Sequence, residues 1–172
     1  LGIVTVNFYV DVVPLPPALQ SGWLVIHVFV ASLATSFFAL AAGLSILQLV
    51  RARLEAHEMA KARLMKTIPA SSVLEALAYR LNVVGFVLWT FTLIAGAIWA
   101  ERAWGRYWGW DTKEVWTFVI WVLFAGYVHA RATRGWRGSR SAWLGIIGFG
   151  AVLFNYTVVN IAFTGLHSYS GL

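Results

Sequence analysis

Trp104-Gly-Arg-Tyr-Trp-Gly-Trp-Asp-Thr-Lys-Glu-Val-Trp116 lies between two long apolar runs and gathers four tryptophans and a tyrosine among a few charges. It is too short and too charged to cross a bilayer core, which takes roughly twenty apolar residues. Its aromatic density suits a surface at the membrane boundary that receives something flat and apolar. The apolar runs on either side of it decide the fold.

The chain has 172 residues, of which 60% are hydrophobic and 12% charged, with a mean hydropathy of +0.73. Those values describe a membrane protein rather than a soluble domain. A net charge of +6 would suggest nucleic acid in a soluble protein. Here most of the basic residues fall in two short connections between apolar runs, which is a topology signal, and no nucleic-acid partner is expected. The chain has no cysteine. Disulfides, thiolate metal sites, Fe–S clusters and a C-x-x-C-H attachment site are thereby excluded, so any haem is held without thioether bonds. No phosphate-binding glycine-rich loop is present to couple ATP. The start at Leu1, without a signal-type segment, leads to the expectation of an upstream part not included in this chain.

Residues 1–20 combine an alternating run (Ile3, Val4, Val6, Phe8, Val10) with Pro14, Pro16 and Pro17, and read as an external loop or the tail of an earlier helix. Spans are predicted over 22–50, 81–100, 114–129 and 143–163. In the first, Ala31, Thr35, Ala39 and Gly43 recur every four residues and predict a face for close helix approach. His27 is expected on a face that meets another helix. Between the first two spans, 51–80 carries six basic residues and is expected to extend as helix to Met65 before breaking at Pro69. Arg131, Arg134, Arg137 and Arg140 follow the third span. The positive-inside rule places both arginine-rich connections in the cytoplasm, and the Trp-rich loop (101–116) and both termini outside. The expected architecture is all-α: a polytopic membrane helix bundle with four transmembrane helices and an external Trp-rich loop, forming a single domain over 1–172.

Topology sorts the histidines. His27 and His167 fall at the outer ends of the first and last spans, on the side of the Trp-rich loop. Two imidazoles from different helices form the axial pair of a six-coordinate haem. Trp104, Tyr107, Trp108, Trp110 and Trp116 are the candidate platform for the porphyrin. Arg102, Arg106 and Lys113 are candidates to pair with its propionates. Either histidine alone reads first as an interfacial polar residue, and boundary tryptophans usually form an aromatic belt, so the haem reading rests on their combination. His129 lies about 27 Å along its helix from Asp111, near the inner boundary, and a second haem there needs a ligand from outside this chain. His57 reads as a solvated residue. Asp111 and Glu114 read as a capping box that starts the third helix. Asn155, Tyr156, Thr157 and Asn160 put polar groups in the fourth span, where interhelical hydrogen bonding explains them.

The Trp-rich stretch resembles the "WWD" motif of haem-handling cytochrome c biogenesis proteins, and is most similar to the System II cytochrome c synthase subunit of the CcsA/ResC type. Pro17-Ala-Leu-Gln-Ser-Gly-Trp-Leu-Val-Ile-His27-Val, Tyr127-Val-His129-Ala-Arg and Gly165-Leu-His167-Ser-Tyr resemble segments of that family in its order. The resemblance runs from about Pro14 to Tyr169. It implies that His27 and His167 ligate haem b non-covalently on the outer face. It also implies that His129 is the membrane histidine paired with one from a partner subunit of the CcsB/ResB type. The activity implied is carrying haem across a bacterial plasma or thylakoid membrane and presenting it to the C-x-x-C-H of apocytochrome c, as a subunit of a cytochrome c haem lyase. Where the family usually reads Trp-Asp-Pro, this chain has Thr112, so slightly looser helix initiation is expected. Upstream spans usual in the family are expected to be missing here. The alternatives are a haem-b electron-transfer anchor of a respiratory complex, which would ordinarily pair histidines within its spans, and a structural subunit that has lost haem handling.

Overall fold

The structure is a computed structural model and describes residues 21–56 and 67–163. Four helices organise them: α1 (Gly22–Ala56), α2 (Ser71–Trp104), α3 (Thr112–Arg134) and α4 (Ser139–Ala162). All four are long and apolar enough to cross a membrane, and no strand occurs among the described residues. The alternating run at 3–10, His57, the stretch to Met65 and His167 lie outside the described residues.

The helices are longer than the predicted spans. At 35 residues, α1 measures about 50 Å, against a hydrocarbon core of about 30 Å. Hydropathy finds only the lipid-embedded part of such a helix, whereas the backbone stays helical until a cap or a proline stops it. Thus α2 begins at Ser71, directly after Pro69 and Ala70, well before the predicted start at 81. No side chain of its own caps it. Instead Glu55 at the end of α1 accepts hydrogen bonds from the Ser71 hydroxyl (2.6 Å) and the Ser71 N–H (3.3 Å), which satisfies an orphan donor at the helix start and closes the α1–α2 hairpin. Glu55 is held in turn by Arg51, one turn back, at 3.0 Å.

Successive helices run antiparallel and close into a ring. His27 at the start of α1 meets Thr92 near the end of α2, while Glu55 meets Ser71. The Trp89 indole N–H donates to the Thr117 carbonyl between α2 and α3, and Arg131 pairs with Glu75 at the other end of the same two helices. Trp116 packs on Phe154 between α3 and α4, and Gln48 of α1 donates to the Gly138 carbonyl at the foot of α4. One end of the bundle carries the 105–111 connection, and the other carries the arginines.

The packed stripe of α1 is Ala31, Ala34, Phe38, Ala41, Ser45 and Gln48, an alternation of three and four that holds one seam against a partner. Continued backward, it includes His27, as expected. The four-residue series foreseen from the sequence does not survive: four residues turn a helix through more than a full circle, so it spirals off the seam. Gly43, its last member, faces open space. On α2 the complementary seam includes Gly85, where an added Cβ would sit 2.8 Å from the Phe38 ring. That ring is fully buried and stacked on Phe124 with centroids 3.7 Å apart, so it has nowhere to go. Gly85→Ala is therefore expected to destabilise the bundle by about 1–3 kcal/mol through overpacking, and Gly43→Ala to be neutral. Unfolding of the two variants in denaturing detergent checks this, and equal midpoints would refute the seam.

Candidate functional site

At the loop end α2 runs on to Trp104 and stops where Gly105 turns left-handed (φ 69°), its N–H returning to the Glu101 carbonyl at 2.8 Å. The connection to α3 is therefore 105–111, shorter than the 101–116 read from composition. Asp111 caps α3 and forms the foreseen capping box with Glu114. The box does more than start a helix. Glu114 is 8% exposed, and one of its oxygens, Oε2, accepts from both the Asp111 N–H (3.1 Å) and the Gly109 N–H (2.8 Å). Between those two donors sits Trp110 with φ +58°, among the described residues the only non-glycine on that side of the Ramachandran map. A bulky residue held there costs on the order of 1–3 kcal/mol and persists only when its surroundings impose it.

The aromatic residues of this stretch divide by role. Trp104, on the last turn of α2, packs edge-on to the buried Trp99 at 4.7 Å, and Trp116 lies within α3 against Phe154 at 4.4 Å. Both anchor the ends of the connection. Trp108 is half-buried, edge-on to Phe118 (6.4 Å) and to Trp110 (6.0 Å). Tyr107 and Trp110 stand out, 63% and 79% exposed. Of the five platform candidates, the structure thus presents two outward and brings Tyr107 and Trp108 over a cavity.

That cavity has a volume of about 90 Å³, and His27, Trp89, Tyr107, Trp108, Lys113 and Asn155 are among its lining residues. The half-buried His27 imidazole stacks on Trp99 (centroids 6.3 Å apart, planes 16° apart), with Nδ1 3.1 Å from the Thr92 carbonyl oxygen. A carbonyl can only accept, so Nδ1 donates this hydrogen bond, as the second ring nitrogen of a metal-ligating histidine commonly does. Gly96 lets the ring lie flat on α2, since a Cβ there would come within 2.8 Å of the imidazole Cε1.

The three cations proposed for propionates are differently employed. The Arg102 guanidinium lies 5.4 Å from the Trp23 ring centroid, and that of Arg106 covers Gly109 so closely that a Cβ there would overlap it. Lys113 alone among them lines the cavity, its ammonium bonded to Asn160 Oδ1 and 5.5 Å from the Tyr156 ring centroid. His129 is exposed on α3 and lines no part of the cavity, facing away from the bundle's own core.

Sequence reasoning missed the contribution of α4. Residues Asn155–Val159 form a π-helical segment, a local widening that is frequent at functional sites. It brings Asn155 and Tyr156 to the cavity. Asn155 is 1% exposed and its Oδ1 has no hydrogen-bond partner within the described residues. The foreseen interhelical role fits Asn160, which Lys113 reaches from α3, but not Asn155. The available signal was the cluster of polar residues inside an apolar run.

Comparison with known proteins agrees with this architecture. Residues 3–167 match the family model described as cytochrome C assembly protein. The chain is 43% identical over 173 residues to the cytochrome c biogenesis protein CcsA of Guillardia theta, covering 92% of this chain and 58% of that protein. To the CcsA of Synechococcus sp. (strain CC9902) it is 38% identical over 91% of this chain and 58% of that relative. To that of Chlamydomonas reinhardtii it is 42% identical over 91% of this chain and 43% of the relative. The chain thus spans at most about 58% of the length of these three relatives. The motifs, the helical bundle and these likenesses together make it a member of the cytochrome c assembly protein family, of the CcsA type.

Proposed function

We propose that this chain is the haem-handling part of a cytochrome c synthase, which carries haem across a bacterial plasma or thylakoid membrane and presents it on the outer face for attachment to the C-x-x-C-H of apocytochrome c. The observation that carries this reading is His27: its Nδ1 is fixed by the Thr92 carbonyl, its ring lies on Trp99, and it opens onto a cavity roofed by Tyr107 and Trp108. The residues fit a porphyrin ligand. A ligating nitrogen, aromatic surface and a cation in Lys113 converge at one end of the bundle.

The cavity of about 90 Å³ is far smaller than a porphyrin. Haem b would be held by His27 at the cavity and by the exposed faces of Tyr107 and Trp110 beside it. His167 is the proposed second axial ligand. His129, exposed on α3, is the proposed ligand of a second haem shared with a partner subunit of the CcsB/ResB type. The chain supplies no thiol, so the sulfur of the new bonds comes from the apocytochrome, and the contribution of this chain is to hold and orient the ring.

The purified protein, together with its partner subunit, is expected to show a low-spin bis-histidine haem spectrum that disappears in the His27→Ala/His167→Ala double variant. An unchanged spectrum would overturn the assignment. Replacing His129 is expected to remove only the haem whose presence depends on the partner.

A further inference from the structure

Resting on the haem reading above, we propose that Glu114 is a positioning residue that holds Trp110 in its left-handed conformation and so sets the face that the loop offers to haem. The capping box requires only that Glu114 reach the Asp111 N–H. Here the same oxygen also takes the Gly109 N–H, so it ties the chain on both sides of Trp110. The Arg106 guanidinium lies against Gly109 as well. The residue so fixed is the most exposed tryptophan of the loop, at 79%, turned edge-on to Trp108.

Removing the acceptor takes away the partner that the Gly109 and Asp111 N–H groups share, and with it what opposes a return of Trp110 to negative φ. That return carries its Cβ to the other side of the backbone, and the indole with it. Glu114 itself lines the cavity that His27 lines, so one carboxylate links the loop's shape to the ligand side of the site. Thr117 fastens the backbone of Glu114 in turn, its hydroxyl donating to the Glu114 carbonyl at 2.6 Å.

The test uses the complete synthase, titrated with haemin after removal of bound haem. Glu114→Ala is expected to weaken haem binding by about 2–10-fold, the range for loss of one aromatic stacking contact. Glu114→Gln keeps an acceptor oxygen and is expected to bind as the wild type does. Because Glu114 acts through Trp110, Glu114→Ala is expected to cost nothing further in a Trp110→Gly background.

Full additivity of the two substitutions overturns the proposal, as does a loss in Glu114→Gln equal to that in Glu114→Ala. Wild-type affinity in Glu114→Ala alongside lost binding in His27→Ala also overturns it, while leaving the haem reading intact. If the wild type takes up no haem, the haem reading falls and the clamp is judged on the apo protein. Near-ultraviolet circular dichroism altered in Glu114→Ala and restored in Glu114→Gln upholds it, and identical spectra overturn it.

Discussion

A valine at Gly96 is expected to deprive the protein of haem while leaving its helices in place. The imidazole of His27 lies directly over Gly96, so that even a Cβ would come within 2.8 Å of Cε1 and 3.1 Å of Nδ1. The ring is the far end of a flexible side chain and the α2 backbone is not, so the ring gives way. Moving it breaks the contact of Nδ1 with the Thr92 carbonyl, now 3.1 Å, and tilts the ring off Trp99. Loss of such an orienting partner lowers metal affinity by about 10–100-fold. The helix pays only the small propensity difference between glycine and valine plus local overpacking, about 1–3 kcal/mol. Haemin titration alongside far-ultraviolet circular dichroism separates the two effects. A Gly96→Val protein that keeps wild-type haem affinity would show that His27 is not the ligand.

Hydropathy locates four spans because burial in lipid demands apolar length, whereas the helix-contacting face of His27 belongs to the three-and-four seam of α1 and not to the four-residue series read from the sequence. The cap at Asp111 with Glu114 was legible because capping is local: it needs four consecutive residues and no knowledge of the rest of the fold. What the sequence concealed depends on contacts between distant segments. No pattern within Trp108-Gly-Trp-Asp announces that the second tryptophan is left-handed, because its conformation is imposed by a carboxylate that any capping box would contain. The π-helical widening at Asn155–Val159 has no glycine or proline to mark it. Gly96 carries no signal of its own in the sequence, and its meaning lies entirely in the imidazole above it. The pairing of His27 with His167 and the surroundings of His57 fall outside the described residues.

The arginines carry more, one by one, than their sum along the sequence conveys. Arg131 was counted with Arg134, Arg137 and Arg140 as a boundary residue, yet its side chain is 8% exposed within α3 and bonded to Glu75 Oε1 of α2 at 2.6 Å. It also donates to the Ser141 hydroxyl of α4 at 2.7 Å and lies 4.4 Å from the Tyr79 ring centroid. Glu75 is only 13% exposed and accepts the Gly138 N–H at 3.0 Å through its other oxygen. One ion pair therefore joins three helices and the α3–α4 turn, and both of its charges have the hydrogen bonds that burial demands. Arg131→Ala is expected to destabilise the bundle by about 3–5 kcal/mol, because it strands the Glu75 carboxylate. Glu75→Ala is expected to cost a similar amount by stranding the guanidinium. Replacing both, with Arg131→Met and Glu75→Gln, is expected to recover most of the loss, since no unpaired charge remains. Unfolding in denaturing detergent measures all three. If the double variant is as unstable as the sum of the singles, Arg131 and Glu75 stabilise the bundle independently and the lock described here does not exist.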